Sequence, residues 1–209
     1  PNNKRNTNQT FRFYQLVTYL KENSNVEIID LRPPLLAAKQ SRRVYFETDT
    51  HWNTLGGFVA YQTIARELAK GFPEMKILEE SDCVTSRTVR SHSDLARMVG
   101  LDGAFSEEVE DLQLRNPGFV LQTESYRNSI MMVANNREGH LPRLLAFCDS
   151  FSSALSAFLS QDFSRSVYRL QIYFDPGQVE LEQPQVVMQE IVERYLTDYP
   201  PSDLLPVSK

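Results

Sequence analysis

Apolar residues recur at the spacing of one helix face in two parts of the chain, and each stretch predicts a helix. The first stripe consists of Phe13, Leu16, Val17 and Leu20. Their i, i+3, i+4, i+7 spacing predicts a helix that ends near residues 23–25. The second stretch predicts a helix over 55–70. Its apolar stripe consists of Phe58, Tyr61, Ile64, Ala65 and Leu68. Prolines directly after Arg32 predict a shorter helix that continues through Lys39.

Short apolar runs between the helical stretches predict strands. These runs lie at 26–30, 44–46, 144–147, 167–174 and 186–191. A further helical pattern begins at Phe151, between two of the strands. Alternation of strands with helices is typical of an α/β fold that contains a parallel sheet.

The stretch from about 72 to 140 has a different pattern. Polar turns separate four strand candidates, at 83–90, 109–114, 119–123 and 130–135. A helix near 93–99 interrupts them, with Ser93 or Asp94 as its expected cap. We therefore expect a mainly β insertion with antiparallel strands. Residues 1–10 predict a disordered N-terminal segment and 201–209 a tail, which leaves 11–200 as a single domain.

Composition narrows the classes of protein that this chain can be. With 209 residues, 41% hydrophobic and 23% charged, it resembles an ordinary globular protein. The net charge of -5 argues against nucleic acid as a main partner, because phosphate binding requires clustered lysine and arginine. Two cysteines, Cys83 and Cys148, are too few for a disulfide framework, and their spacing does not suit a metal site. Cys148 follows an apolar run, which favours a buried thiol.

The segment from Glu47 to Gly56 contains the first candidate for chemistry. Asp49 and His51 are two residues apart, so in extended backbone both side chains project to the same side. A carboxylate beside an imidazole fixes its tautomer and stabilises the imidazolium, as a general base requires. Trp52 is interpreted as a core anchor below the following helix. The pair Gly56-Gly57 indicates either a close backbone approach or an unusual turn.

A candidate nucleophile, Ser150, follows the apolar run that ends at Phe147. Ligands of open α/β sheets bind at the carboxyl ends of the strands, and Ser150 lies at such an end. Free amides at the start of the next helix could stabilise an oxyanion there. The alternative is that Asp149 and Ser150 only cap that helix, which the residue types alone slightly favour. His92 and His140 lack a comparable carboxylate and are predicted to be surface or turn histidines.

Together the two segments resemble a known family. Thr48-Asp49-Thr50-His51-Trp52-Asn53-Thr54-Leu55-Gly56 resembles the Asp-x-His-Trp motif of SGNH-hydrolase-like acetyltransferase domains that act on alginate and related bacterial exopolysaccharides. The segment Cys148-Asp149-Ser150-Phe151 is similar to their Gly-Asp-Ser-Phe block, with cysteine in place of the first glycine. Residues 189–196 are similar to their last strand. The resemblance covers about residues 11 to 198.

This resemblance implies a fold, a site and a reaction. The expected fold is a three-layer α/β/α SGNH domain of flavodoxin-like type with a mainly β insertion. Ser150 is implied as nucleophile, His51 as general base and Asp49 as the carboxylate that orients it. The implied function is O-acetyl transfer to exopolysaccharide hydroxyls through an acetyl-serine. Two alternatives stay open: a carbohydrate O-acetylesterase of the same fold, or a non-catalytic module that binds polysaccharide or assists its assembly.

The same resemblance implies partners and a location. No metal or organic cofactor is expected. The expected partners are a polysaccharide acceptor and a membrane acyltransferase that supplies the acetyl donor. A periplasmic or extracellular location is implied, with membrane anchoring through residues upstream of Pro1 as a further expectation.

Overall fold

A computed structural model of the chain describes residues 11–91, 93–126 and 129–197, which form two compact units. The smaller unit comprises residues 11–28 and 191–197. It contains helix α1 (Arg12–Asn23) and a 3-10 helix (Glu193–Thr197). The Arg12 guanidinium donates a hydrogen bond of 3.1 Å to the Leu196 carbonyl. The helix predicted from the first apolar stripe is confirmed.

The larger unit, residues 29–190, contains the remaining helices and all the strands that the described residues form. Its helices are α2 (Arg32–Ala38), α3 (Thr54–Leu68), α4 (Asp94–Met98), α5 (Ser152–Leu159) and α6 (Pro176–Glu182). Its strands are β1 (Cys83–Ser91), β2 (Ser106–Leu114), β3 (Phe119–Tyr126), β4 (Ser129–Asn136), β5 (Arg143–Cys148), β6 (Arg165–Leu170) and β7 (Val186–Gln189). Short 3-10 turns occupy Glu80–Asp82 and Ser160–Asp162.

Five strands form the central sheet in the order β3-β4-β6-β5-β7. Strand β5 runs parallel to both β6 and β7, whereas β4 runs antiparallel to β6 and β3 antiparallel to β4. A separate antiparallel hairpin consists of β1 and β2. The stretch from 72 to 140 therefore contributes to both structures: its first half forms the hairpin with α4, and its second half extends the central sheet.

Helices cover both faces of the central sheet. On one face, Leu145, Phe147 and Val167 form part of a buried apolar cluster against which Val179 of α6 packs. Tyr168 points to the opposite face, where its hydroxyl lies 3.0 Å from Ser160 Oγ at the end of α5. Helix α3 packs on α5 through the rings of Phe58 and Phe158, whose centroids are 5.1 Å apart. The predicted α/β/α arrangement is confirmed.

Two of the predicted strands are wrong. Residues 24–31 form neither helix nor strand, and Val26 is 61% exposed. A short apolar run becomes a strand only where a neighbouring strand accepts its hydrogen bonds, and this run has none along its described backbone. At 44–46 the pairing is reduced to a single bridge between Tyr45 and Trp52. Strand β6 also ends at Leu170, earlier than the apolar pattern predicts.

The expected cap of α4 is likewise corrected. Ser93 occupies the N-cap position, but its side chain makes no capping hydrogen bond. Asp94 is the first residue of the helix, and its carboxylate accepts a hydrogen bond of 2.7 Å from the amide of Thr50. The carboxylate therefore binds a distant loop instead of its own helix terminus.

The glycine pair at the start of α3 allows two close approaches. A Cβ on Gly56 would lie 2.2 Å from the carbonyl oxygen of Val44. A Cβ on Gly57 would lie 2.7 Å from Cβ of Ala154 in α5 and within 3.1 Å of that residue's backbone. Both distances are shorter than van der Waals contact, so these positions require glycine. The interpretation of the pair as a close backbone approach is confirmed.

Gly57→Ala is expected to lower the free energy of unfolding by about 1–3 kcal/mol, because the added methyl group forces α3 and α5 apart. Gly71→Ala is the matched control, since a Cβ there meets only an ordinary contact at 3.7 Å. Urea unfolding of both variants measures the difference. Equal stability of the two variants would contradict the packing account.

Candidate active site

The turn after β5 is held together by hydrogen bonds to Asp149. The amide of Phe151 donates to Asp149 Oδ1 at 2.9 Å, and Ser152 donates to the Asp149 carbonyl through its amide at 3.2 Å and its hydroxyl at 2.7 Å. Phe151, not Asp149 or Ser150, occupies the N-cap position of α5. Since Asp149 stabilises the turn and Ser150 remains exposed, the two residues have different roles at this strand end.

A second loop approaches this turn from the start of α3. The bridge between Tyr45 and Trp52 closes the loop, and the amide of Phe46 donates to the His51 carbonyl at 3.2 Å. Asn53 caps α3 by accepting from the amide of Gly56 at 3.0 Å. We call residues 47–51 the acid–base loop. Its C-terminal end is thereby fixed to a helix terminus.

Trp52 joins the acid–base loop to the serine turn. Its indole Nε1 donates a hydrogen bond of 2.9 Å to the carbonyl of Phe151, and the two rings pack edge to face with centroids 5.1 Å apart. The side chain is buried, which confirms the predicted core anchor. Because the residue after His51 binds the residue after Ser150, this contact brings the imidazole and the hydroxyl together.

The three side chains predicted as catalytic form one hydrogen-bonded chain. His51 Nε2 lies 2.7 Å from Ser150 Oγ, and His51 Nδ1 lies 2.6 Å from Asp49 Oδ1. A carboxylate at Nδ1 favours the tautomer that carries its proton there, which leaves Nε2 free to accept the serine proton. The geometry is that of a serine activated by an oriented base.

The charge on Asp49 is strongly stabilised. Burial by itself raises the pKa of this carboxyl, but hydrogen bonds from His51 and the positive charge of Arg90 outweigh burial and hold the pKa at about 2. Arg90 donates to Asp49 Oδ2 at 2.9 Å, and its guanidinium lies 4.3 Å from the ring centroid of Phe46. Asp49 is therefore ionised at any physiological pH. Sequence reasoning missed Arg90, since nothing in a strand of the insertion marks it as a neighbour of Asp49.

A second acid, Glu190, which directly follows β7, supports the serine turn. The amide of Asp149 donates to Glu190 Oε2 at 3.3 Å. Burial and the neighbouring charge of Asp149 raise the pKa of Glu190 to about 8, so its carboxyl group is mostly protonated at pH 7. In that form it donates a hydrogen bond to the Asp149 carboxylate. Glu190 thus supports the turn as a neutral acid.

Cys148 precedes the turn but does not face its open side. The side chain is fully buried, and Sγ lies 3.3 Å from the carbonyl oxygen of Arg169. Burial raises the pKa of the thiol to about 12, so the thiol stays neutral. The prediction of a buried apolar thiol is confirmed.

The expected free amides at the start of α5 are not found at its first residues. The amides of Phe151 and Ser152 bind Asp149, and the amide of Ser153 donates to the Ser150 carbonyl at 3.3 Å. These groups stabilise the turn itself. The prediction that these three amides are free to bind an oxyanion is therefore wrong.

Three potential metal ligands meet beside the imidazole. Ligand atoms of Asp49, His51 and Asp94 lie within 4.8 Å of one another. All three are already hydrogen-bonded: His51 to Asp49, Asp49 also to Arg90, and Asp94 to Thr50 through its amide and hydroxyl. This arrangement suits proton transfer better than metal binding.

Two further predictions concern the rest of the chain. His140 is exposed, as predicted, whereas His92 lies outside the described residues. Among the helices of the described residues, none is long and apolar enough to cross a bilayer.

A sulfonyl fluoride is expected to modify Ser150 selectively, because only a hydroxyl paired with an oriented imidazole is activated at neutral pH. His51→Ala should slow the modification by roughly 10²–10⁴-fold. Peptide mass spectrometry locates the adduct, and Ser153→Ala, an exposed serine three residues away, is the matched control. Equal labelling of wild type and His51→Ala would contradict an activated serine.

Comparison with known proteins shows the family to which the chain belongs. The family described as "SGNH hydrolase-like domain, acetyltransferase AlgX" matches residues 1–191. The chain is 26% identical over 179 residues to "Probable alginate O-acetylase AlgJ" of Pseudomonas syringae pv. tomato, an alignment that covers 80% of this chain and 46% of that protein. The chain thus spans about half the length of this curated relative.

Two solved structures share the fold. Bacillus cereus PatB1 with a sulfonyl adduct has a TM-score of 0.64 at 18% identity, covering 90% of this chain and 75% of that one. The O-acetyltransferase domain of Pseudomonas putida AlgJ has a TM-score of 0.54 at 19% identity, with 92% and 70% covered. These likenesses show the fold, and the family match over residues 1–191 identifies the chain as a member of the SGNH hydrolase-like acetyltransferase family of AlgX.

Proposed function

We propose that this chain is an O-acetyltransferase domain that acetylates hydroxyl groups of a bacterial exopolysaccharide. One observation carries the proposal: in a member of this family, Asp49, His51 and Ser150 form a continuous hydrogen-bonded chain at the carboxyl edge of the central sheet. The curated relative is named an alginate O-acetylase, which supports a polysaccharide acceptor.

The first half of the reaction forms an acetyl-serine. Ser150 Oγ attacks the carbonyl carbon of the acetyl donor while its proton moves to His51 Nε2, which lies 2.7 Å away. The donor's leaving group then departs with the proton from His51. Asp49 stabilises the imidazolium in between, because its carboxylate stays ionised.

The second half transfers the acetyl group. A sugar hydroxyl approaches the acetyl-serine and gives its proton to His51 Nε2 as its oxygen attacks the carbonyl carbon. The ester bond to Ser150 breaks, and the proton returns from His51 to the serine oxygen. The products are an acetylated sugar and the original triad. The proposal includes an exported setting in which a membrane acyltransferase supplies the donor.

Hydrolysis is the second candidate. Ser150 is exposed, so water can reach the same acetyl-serine and replace the sugar. An esterase therefore needs no change in the triad. The two activities differ only in the acceptor that reaches His51 first.

Incubation with a chromogenic acetyl ester is expected to release the chromophore, and an oligosaccharide acceptor should gain acetyl groups. Ser150→Ala should lower turnover by at least about 10³-fold, because it removes the nucleophile. Mass spectrometry of the sugar separates transfer from hydrolysis.

Ser153→Ala serves as control, since this serine is exposed in α5 and is not a member of the hydrogen-bonded chain of Asp49, His51 and Ser150. Acetylated sugar in a Ser150-dependent reaction supports the transferase, whereas release of acetate alone supports the esterase. Equal turnover of wild type and Ser150→Ala would overturn both and favour a non-catalytic module.

A further inference from the structure

The hairpin of β1 and β2 binds the acid–base loop through side-chain hydrogen bonds. Arg90 and Glu107 are directly opposite each other in the hairpin register, so both side chains project from the same face. Arg90 binds the Asp49 carboxylate at 2.9 Å, while Glu107 binds the residues that precede Asp49. One cross-strand pair thus contacts three consecutive residues of the loop.

Glu107 makes three hydrogen bonds to this loop. Its Oε2 accepts from the amide of Glu47 at 2.7 Å. Its Oε1 accepts from the amide of Thr48 at 3.1 Å and from the Thr48 hydroxyl at 2.6 Å. These bonds hold the backbone on the N-terminal side of Asp49.

Asp94 holds the other side of Asp49. Its Oδ1 accepts from the amide of Thr50 at 2.7 Å, and its Oδ2 accepts from the Thr50 hydroxyl. The amide of Leu95 returns a hydrogen bond of 3.1 Å to the Thr48 carbonyl. Residues of β1, α4 and β2 therefore contact the loop on both sides of Asp49.

Burial of the Glu107 carboxylate is energetically unfavourable by itself. Its side chain is 1% exposed, and a buried carboxylate destabilises a fold unless it is well hydrogen-bonded. Burial raises the pKa of Glu107, but hydrogen bonds from Glu47 and Thr48 outweigh burial and keep the pKa below its usual range. Hydrogen bonds to a charged group depend on angle as well as distance. They therefore restrict the position and orientation of the loop backbone more than apolar packing would.

The hairpin is itself anchored to the helix that follows the loop. The amide of Leu112 in β2 donates to the Thr54 hydroxyl at 2.7 Å, and Thr54 is the first residue of α3. Both the acid–base loop and the hairpin that binds it are therefore attached to the N-terminus of α3.

We propose that Glu107 and Asp94 are positioning residues of the acetyl-transfer reaction, which hold the acid–base loop so that Asp49 and His51 stay aligned with Ser150. This inference rests on the proposed function and deepens it: the hairpin with α4 is part of the catalytic apparatus. Neither residue is hydrogen-bonded to the serine hydroxyl. Glu107 acts through the loop, whereas Asp94 acts through Thr50 and also through its charge, since its Oδ2 lies 3.9 Å from His51 Nδ1.

Glu107→Gln tests the inference, because an amide cannot accept all three hydrogen bonds and turns an NH₂ group toward one donor. The kcat for acetyl-ester turnover should fall by about tenfold or more, because a small displacement of a catalytic group lowers the rate strongly. The KM should stay within about twofold. Sulfonylation of Ser150 should slow by a similar factor.

Glu108→Gln is the matched control, since Glu108 is the next residue of β2, carries the same charge and is exposed. Asp94→Asn is the second test variant, because the Asp94 side chain is 27% exposed and its replacement endangers folding less. Circular dichroism verifies that each variant is folded.

Slowed sulfonylation in folded Glu107→Gln, with Glu108→Gln unchanged, supports the inference. Slowing in Asp94→Asn alone would assign the effect to the charge that lies 3.9 Å from His51 Nδ1 and would overturn the positioning role of Glu107. If both test variants keep the kcat and the sulfonylation rate of Glu108→Gln, the inference is overturned while the proposed function stands. If the wild type turns over acetyl esters no faster than Ser150→Ala, the proposed function fails. Sulfonylation, which needs no acetyl chemistry, then still decides the positioning role.

Discussion

The hydrogen bond from the Trp52 indole to the Phe151 carbonyl is the constraint on which the site depends. It joins two segments that are 99 residues apart in the chain, each of which carries a part of the proposed triad. Neither half has a function without the other, because an imidazole activates a hydroxyl only at hydrogen-bond distance. Around this link the glycine at position 57 lets α3 and α5 approach closely, so that the residues at their two starts can meet.

Electrostatics assigns opposite states to two acids around the serine. Asp49 stays ionised because His51 and Arg90 stabilise its charge, and the pKa lies at about 2. Glu190 is partly buried beside another carboxylate, and desolvation together with the charge of Asp149 raises its pKa to about 8, so it is mostly protonated at pH 7. One acid orients a base and the other donates a hydrogen bond to a turn. Their roles follow from their surroundings, since both are ordinary carboxylic acids in solution.

The sequence alone predicts the parts of the site that are local. Asp49 and His51 are two residues apart, and Ser150 follows a strand that leads into a helix, so pattern and motif are enough to find them. Burial of Cys148 and of Trp52 is predictable from residue type and the neighbouring apolar pattern. The partner of the Trp52 indole, 99 residues away, is not.

The parts that escaped prediction depend on contacts distant in sequence. Arg90 reaches Asp49 across 41 residues and Glu107 reaches Thr48 across 59, and no periodicity encodes such pairs. Asp94 has the residue type and position of a helix cap, yet the loop that carries Thr50 provides its donors. The predicted strand at 26–30 failed because an apolar run does not specify a pairing partner. In the same way, only the pairing of β4 with β6 reveals that β3 and β4 belong to the central sheet.

The central claim is that Ser150 carries the acetyl group between donor and acceptor. Rapid quenching of the protein with an activated acetyl ester, followed by peptide mass spectrometry, tests it most directly. The account predicts one acetyl group on the peptide that contains Ser150, dependent on His51 and lost when an oligosaccharide acceptor is added. Steady turnover without acetyl-Ser150, or with the acetyl group on another residue, would contradict the account.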